Sequence, residues 1–168
     1  MKPIFLIGFM GTGKSITGKK LALALGRVFI DLDARIEQET NRIIADIFAQ
    51  EGEMEFRNIE SAVLKNCLVE DSIISCGGGT PCYNDNMEFI NANGHSIYLK
   101  TNRGILVSRL IQNKSKRPLL ADKSDTELIV FINNLLDCRE PFYEQATFSF
   151  QMDKKKMDDL IVLVKNLS

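Results

Sequence analysis

The chain has 168 residues, enough for about one compact domain with a sizeable core and too few for two. Its 21 Lys and Arg nearly balance 22 Asp and Glu, and 45% hydrophobic with 26% charged residues is globular composition, which excludes intrinsic disorder and a generally basic nucleic-acid binder. No apolar run reaches the ~18 residues of a membrane span.

The first apolar run, Ile4–Ile7, follows Lys2 and leads into Gly8-Phe-Met-Gly-Thr-Gly13-Lys14-Ser15. A secretory signal is the alternative for this segment, but such a signal needs a small-residue cleavage site and a disposable body, and here the body carries chemistry. The octapeptide completes the P-loop pattern G-x-x-x-x-G-K-[ST] between a predicted strand and a predicted helix, Lys14–Leu25, whose apolar positions are Leu21, Leu23 and Leu25 and whose stop is Gly26. Glycines let backbone N–H groups converge on phosphate oxygens, and the helix start adds its positive dipole end. Lys14 supplies a point charge, and Ser15 supplies a hydroxyl for Mg²⁺.

The second predicted strand, Val28–Asp31, ends in Asp31-Leu-Asp33. Residues two apart on an extended strand share a side, so one carboxylate can hold hydrated Mg²⁺ while the other meets a hydroxyl nucleophile. The alternative is that Asp33 caps a helix starting near Ala34 and that Asp31 is merely solvated. A long connection follows, with helical periodicity strongest from Met54 through Phe56, Ile59, Val63 and Leu64 to Leu68, and room for a small helical insertion over about 34–60. Phe48 and Phe56 belong to the core or to a pocket wall.

The third strand, over 72–76, ends at Gly77-Gly78-Gly79, and a helix over 85–92 stopped by Gly94 precedes a fourth strand over 96–99. Two clusters, Gly8 with Gly11 and Gly13, and Gly77 to Gly79, hold six of the 11 glycines, both at strand ends. In a doubly wound sheet ligands bind outside the carboxyl ends of strands, so both clusters face one crevice. A helix over 105–111 leads to a basic segment with Arg117 and Pro118, read as a lid over about 112–124 that carries an arginine finger. A helix over 125–136, with Arg139 after its end near Cys138, a fifth strand over 147–151 and a helix over 157–167 complete a single domain, 1–168.

Other signals are weaker. His95, the only histidine, reads as a solvent or core residue, and Lys154 to Lys156 as a solvated helix start. Asn113-Lys114-Ser115-Lys116 lacks the closing Asp of the guanine-selecting N-K-x-D motif. Cys67, Cys76, Cys82 and Cys138 form no C-x-x-C pair and no Cys/His cluster, so free thiols in a reducing cytoplasm are expected.

Taken in order, G-F-M-G-T-G-K-S, D-L-D, A-D-I-F-A-Q-E-G-E-M-E-F-R, C-G-G-G-T and R-P-L-L give the chain a resemblance to the shikimate kinases, from about Ile4 to Gln151. The resemblance implies a three-layer P-loop α/β fold with a five-stranded parallel sheet of order 2-3-1-4-5, a substrate-binding helical insertion and a lid. It implies phosphorylation of shikimate by ATP at the 3-hydroxyl, on the chorismate route to aromatic amino acids.

Carried over by motif, Gly11, Thr12, Gly13, Lys14, Ser15 and Ile16 correspond to the ATP-phosphate loop, Ser15 and Asp31 to the Mg²⁺ positions, and Arg109 to the adenine side. Asp33 corresponds to the residue on the ring hydroxyls and is the candidate base. Arg57 and Arg139 correspond to the pair gripping the acid, Glu60 to the residue orienting Arg57, and Gly77 to Gly79 to the loop touching substrate. Arg117 corresponds to the lid residue on the transferred phosphate. The family usually places Thr directly after Lys-Ser, whereas this chain has Ile16 and then Thr17.

A cytoplasmic monomer without nucleic-acid or membrane partners is expected. The alternatives are another small-molecule P-loop kinase, acting on gluconate or a nucleoside monophosphate, and a nucleotide-dependent switch.

Overall fold

A computed structural model describes residues 1–114 and 124–167. Five strands, β1 (Ile4–Ile7), β2 (Val28–Asp31), β3 (Ser72–Ser75), β4 (His95–Lys100) and β5 (Phe148–Gln151), form one sheet of order β2-β3-β1-β4-β5 with every pair parallel. The helices are α1 (Lys14–Leu25), α2 (Leu32–Thr40), α3 (Ile44–Asn66), α4 (Asn86–Asn93), α5 (Arg103–Gln112), α6 (Asp125–Tyr143) and α7 (Met157–Lys165). The expected topology is the observed one. Residues 115–123 of the expected lid, Arg117 among them, lie outside the described residues.

Strand β1 is apolar throughout and fully buried because both of its faces are covered. Alternation along it sends Ile4 and Leu6 to one core with Leu21 of α1 and Leu160 of α7, and Phe5 and Ile7 to the other with Ile36, Leu64, Ile90, Leu106 and Ile132. The result is three layers. Two apolar positions of the sequence pattern stay outside both cores: Leu23 on α1 is 86% exposed and Met54 on α3 is 81% exposed. A 3.6-residue period puts Leu23 two places, and so about 200°, from Leu21.

Helix boundaries follow local chemistry. Gly26 ends α1 in the left-handed conformation, its N–H reaching the carbonyls of Ala22 and Leu23. The long α3 is two helical pieces joined at Gly52, whose φ of 82° is left-handed. Ser124 and Glu127 form a reciprocal capping box at the start of α6. That helix runs to Tyr143 rather than stopping near Leu136, so Arg139 lies within it rather than after it. Pro141 is accommodated inside its last turn.

Gly94, between α4 and β4, packs directly under the carbonyl of Pro3, and a Cβ there would also fall 2.6 Å from the Phe5 ring. Gly94→Ala is expected to cost about 1–3 kcal/mol through overpacking. Urea unfolding should show a lower midpoint with an unchanged slope.

Candidate active site

Parallel strands bring β1 and β3 out of the sheet side by side, and their glycine loops meet. Cys76 donates its N–H to the Leu6 carbonyl at 3.0 Å, extending the β1–β3 ladder to the edge of a cleft of about 530 Å³. On the β1 side, Gly13 takes a left-handed conformation with φ of 88° as the N-cap of α1. Lys14 is buried, its Nζ donating to the carbonyls of Gly8 at 2.8 Å and Phe9 at 3.0 Å. Gly11, Gly13, Lys14, Ser15 and Ile16 line the cleft. Thr12 does not: its hydroxyl turns inward and donates to the Phe9 carbonyl at 2.9 Å. Ile16 sets an exposed apolar side chain where the P-loop helix begins, and Thr17 is buried.

Asp31 and Asp33 both line the cleft. Asp31 is the N-cap of α2, accepting from the Ala34 N–H at 3.4 Å, and Asp33 sits in the first turn. The capping alternative is therefore reversed: the first carboxylate caps and the second faces the cleft uncapped. Burial pushes the Asp33 carboxyl up to about 6, helped by the negative charges of Asp31 and Glu60 and opposed by Lys14. Beside them Ser15 Oγ lies 3.4 Å from Ser75 Oγ, and Ser75 is in register with Asp31 across the β2–β3 pair. Hydroxyl and carboxylate oxygens gathered where acidic charge is under-compensated form a donor set suited to a hard cation such as Mg²⁺.

Arg57 and Glu60, both on α3, are buried, with Glu60 only 1% exposed. Arg57 Nη1 donates to Glu60 Oε2 at 2.7 Å, and Nη2 donates to Glu53 Oε1 at 3.0 Å. Burial works against the guanidinium charge, but these two carboxylates outweigh it and hold Arg57 above its ordinary pKa. Glu60 Oε1 accepts from the Thr80 hydroxyl at 2.6 Å, Asn86 Nδ2 donates to the Thr80 carbonyl at 2.9 Å, and the Ser61 hydroxyl donates to Asn86 Oδ1 at 2.7 Å. The Arg57 guanidinium carbon lies 4.4 Å from the Tyr83 ring centroid and 5.0 Å from that of Phe56, which itself belongs to the hydrophobic core.

Gly77 and Gly78 line the cleft, and Gly79 packs under Arg57, where a Cβ would fall 2.5 Å from Nη2. A Cβ on Gly78 would stand 3.2 Å from the Met10 nitrogen of the P-loop and 3.5 Å from Arg139 Nη1. Arg139 is 9% exposed. Both guanidinium groups therefore flank one glycine loop from opposite helices. Arg109 stands at the cleft edge, donating to the Gly11 carbonyl at 3.3 Å. His95 packs near Phe148 at the amino-terminal end of β4, away from the cleft.

The profile of the family described as Shikimate kinase matches residues 10–165. The chain belongs to the shikimate kinase family. The shikimate kinase of Azobacteroides pseudotrichonymphae is 47% identical over 163 residues, covering 96% of each chain. The crystal structure of shikimate kinase from Bacteroides thetaiotaomicron superposes with a TM-score of 0.90 at 38% identity, covering 99% of this chain and 97% of that one. The enzyme from Acinetobacter baumannii, solved in complex with shikimate, gives 0.84 at 33% identity, covering 99% and 92%. ATP-dependent phosphorylation of shikimate, the activity of the shikimate kinases, supplants the gluconate, nucleotide and switch alternatives.

Ser75, Glu53, Tyr83, Thr80 and Asn86 escaped the sequence reading. Ser75 carried a usable signal, as a hydroxyl at the strand end that must lie beside the second strand's acidic end, and so did Glu53, four residues before Arg57 on the same helix. Tyr83, Thr80 and Asn86 come from the loop after β3 and from α4, so their link to Arg57 is tertiary.

Asp33 titrates higher in the folded chain than in the unfolded one, so its stability contribution is full below about 3.8 and lost as pH rises through about 6. In EDTA, Asp33→Asn is expected to melt a few degrees above the wild type at pH 8. The difference should close by pH 4. Thermal melts across that range test it.

Proposed function

We propose that this chain transfers the γ-phosphoryl group of ATP to the 3-hydroxyl of shikimate, with Asp33 as base and Arg57 and Arg139 holding the acceptor's carboxylate. The observation that carries this reading is the placement of both arginines on the Gly78–Gly79 loop, which shares one cleft with Asp33 and the P-loop. Phosphoryl transfer asks mainly for alignment and charge neutralisation. The carboxylate anchors the ring at the loop, and Asp33 receives the proton of the attacking hydroxyl. Lys14 moves from the loop carbonyls onto phosphate oxygens, where the backbone N–H groups of Gly11 and Gly13 add their dipoles.

Ser15 and Asp31 would hold Mg²⁺, which supplies charge neutralisation on the phosphates when bound. Arg109 is assigned to the adenine side from its position at the cleft edge. Arg117 is assigned to the transferred phosphate on its motif. Residues 34–60 form the acceptor-binding insertion and 112–124 the lid. No helix among the described residues is long and apolar enough to cross a membrane. The four free cysteines agree with a reducing compartment, and we take the chain to act in the cytoplasm as a monomer.

The two arginines differ in their charge environment. Arg57 is paired with Glu60 and Glu53, whereas among the described residues no carboxylate forms an ion pair with Arg139. A coupled assay of ADP release should show stimulation by shikimate and none by gluconate, nucleoside monophosphates or buffer. Stimulation by a different acceptor would overturn the roles of Asp33 and the arginines. Arg139→Ala should raise the KM for shikimate about 30- to 150-fold, the loss of about 2–3 kcal/mol of charge-assisted binding, with a smaller change in kcat. Arg57→Ala should also destabilise the fold by about 3–5 kcal/mol, because it leaves Glu60 buried without its counter-charge. Denaturant melts of the two variants separate these effects.

A further inference from the structure

Tyr143 is the largest fully buried side chain among the described residues, and no part of the proposed chemistry uses it. It ends α6, one turn after Arg139 and on the same face. Its hydroxyl donates to the Gly78 carbonyl, and Arg139 Nη1 flanks the same residue, 3.5 Å from where a Gly78 Cβ would stand. Its ring stacks on Tyr98 with centroids 5.2 Å apart, which fixes the ring from behind.

The consequence is geometric. The Gly78–Gly79 peptide is trans, so its carbonyl and its N–H point to opposite sides. Holding the Gly78 carbonyl against α6 aims the Gly79 N–H away from α6 and fixes the plane of the segment on which the Arg57 guanidinium rests. Tyr143 and Arg139, one turn apart on α6, therefore both meet Gly78, while Arg57 meets the adjoining Gly79.

We infer that Tyr143 is a positioning residue that sets the spacing and orientation of the two arginines, and through them the enzyme's demand for a carboxylate on its acceptor. This rests on the proposed assignment of those arginines. Burial keeps the Tyr143 phenol protonated throughout the working pH range, so the donor to Gly78 is always present. The ring fills the core whether or not the hydroxyl is there, so Tyr143→Phe deletes the link while keeping the packing.

The test compares shikimate with its methyl ester, which keeps the ring hydroxyls and loses the charge. Tyr143→Phe should raise the KM for shikimate about three- to tenfold, the size of one neutral hydrogen bond, and leave the KM for ATP and kcat within about twofold. The preference for shikimate over the ester should shrink by the same factor. Tyr98→Phe, which removes a buried hydroxyl from the stacked neighbour, should leave that preference unchanged. An unchanged KM for shikimate in Tyr143→Phe overturns the inference. So does an equal rise for shikimate and ester, or a parallel rise for ATP, since general loosening would produce either.

A second measurement needs no variant of Tyr143. The chain has three tyrosines, so 3-fluorotyrosine labelling gives three ¹⁹F signals, assigned with Tyr83→Phe and Tyr98→Phe. Shikimate should move the Tyr143 signal and ADP alone should not. A Tyr143 signal indifferent to shikimate overturns the inference in a chain that phosphorylates shikimate. A wild-type chain that does not phosphorylate shikimate removes the functional reading and the inference together.

Discussion

Strands β1 and β3 are hydrogen-bonded neighbours in a parallel sheet, and from that pairing the rest of the site follows. Parallel pairing puts both carboxyl ends at the same edge, and the Cys76 N–H bonded to the Leu6 carbonyl carries the ladder to its last residue. Two loops leaving the sheet at that spacing collide unless their side chains vanish. Gly78 shows the limit, since a Cβ there would stand 3.2 Å from the Met10 nitrogen. Glycine at these points is what lets the P-loop and the loop after β3 share one cleft, and the remaining residues are arranged around that closeness.

Charge is arranged around it as well, and unevenly. Glu60 is buried and its two oxygens are used separately, one on Arg57 and one on the Thr80 hydroxyl, so a single carboxylate orients both the guanidinium and the loop after β3. Removing Arg57 would leave a buried charge unpaired, and removing the Thr80 hydroxyl would leave a buried carboxylate oxygen without its bond, each costlier than the bond's net worth. Asp33 is the opposite case. It is buried, crowded by Asp31 and Glu60 and opposed by Lys14, a perturbation of the kind that marks candidate functional groups.

Local spacing made the fold and the phosphate loop legible. A P-loop, a D-x-D at a strand end and a glycine triplet each occupy a few consecutive residues, so their chemistry is readable in one window. Helix α6 was harder to bound, because Pro141 and the charged run around Arg139 suggest a stop, whereas Leu136, Arg139 and Tyr143 continue the buried face. Leu23 and Met54 have apolar side chains and no core to join, so composition alone misplaces them. The environment of Arg57 could be read from spacing only on its own helix, where Glu53 and Glu60 stand one turn away on either side, since Tyr83, Thr80 and Asn86 approach it across the fold.

The same unevenness bears on acceptor choice. Within the cleft Asp31 and Asp33 leave negative charge in excess, opposed by Lys14. Against the glycine loop, Arg139 is buried to the same degree as Arg57 and forms no ion pair with a carboxylate of the described residues, so its solvation is lost without a counter-charge. Under the proposed assignment an acceptor bearing a carboxylate supplies that charge, and a neutral polyol of similar shape leaves it missing. Discrimination then comes from the penalty on the wrong ligand as much as from the bond to the right one, the asymmetry that lets a polar site reject an analogue lacking the matching group far more strongly than an apolar pocket can. That penalty is large only while the two guanidinium groups stay fixed. A loop of three glycines does not hold itself rigid, so selectivity for an acid requires the surrounding helices to hold it, through Glu60 and Thr80 on one flank and α6 on the other.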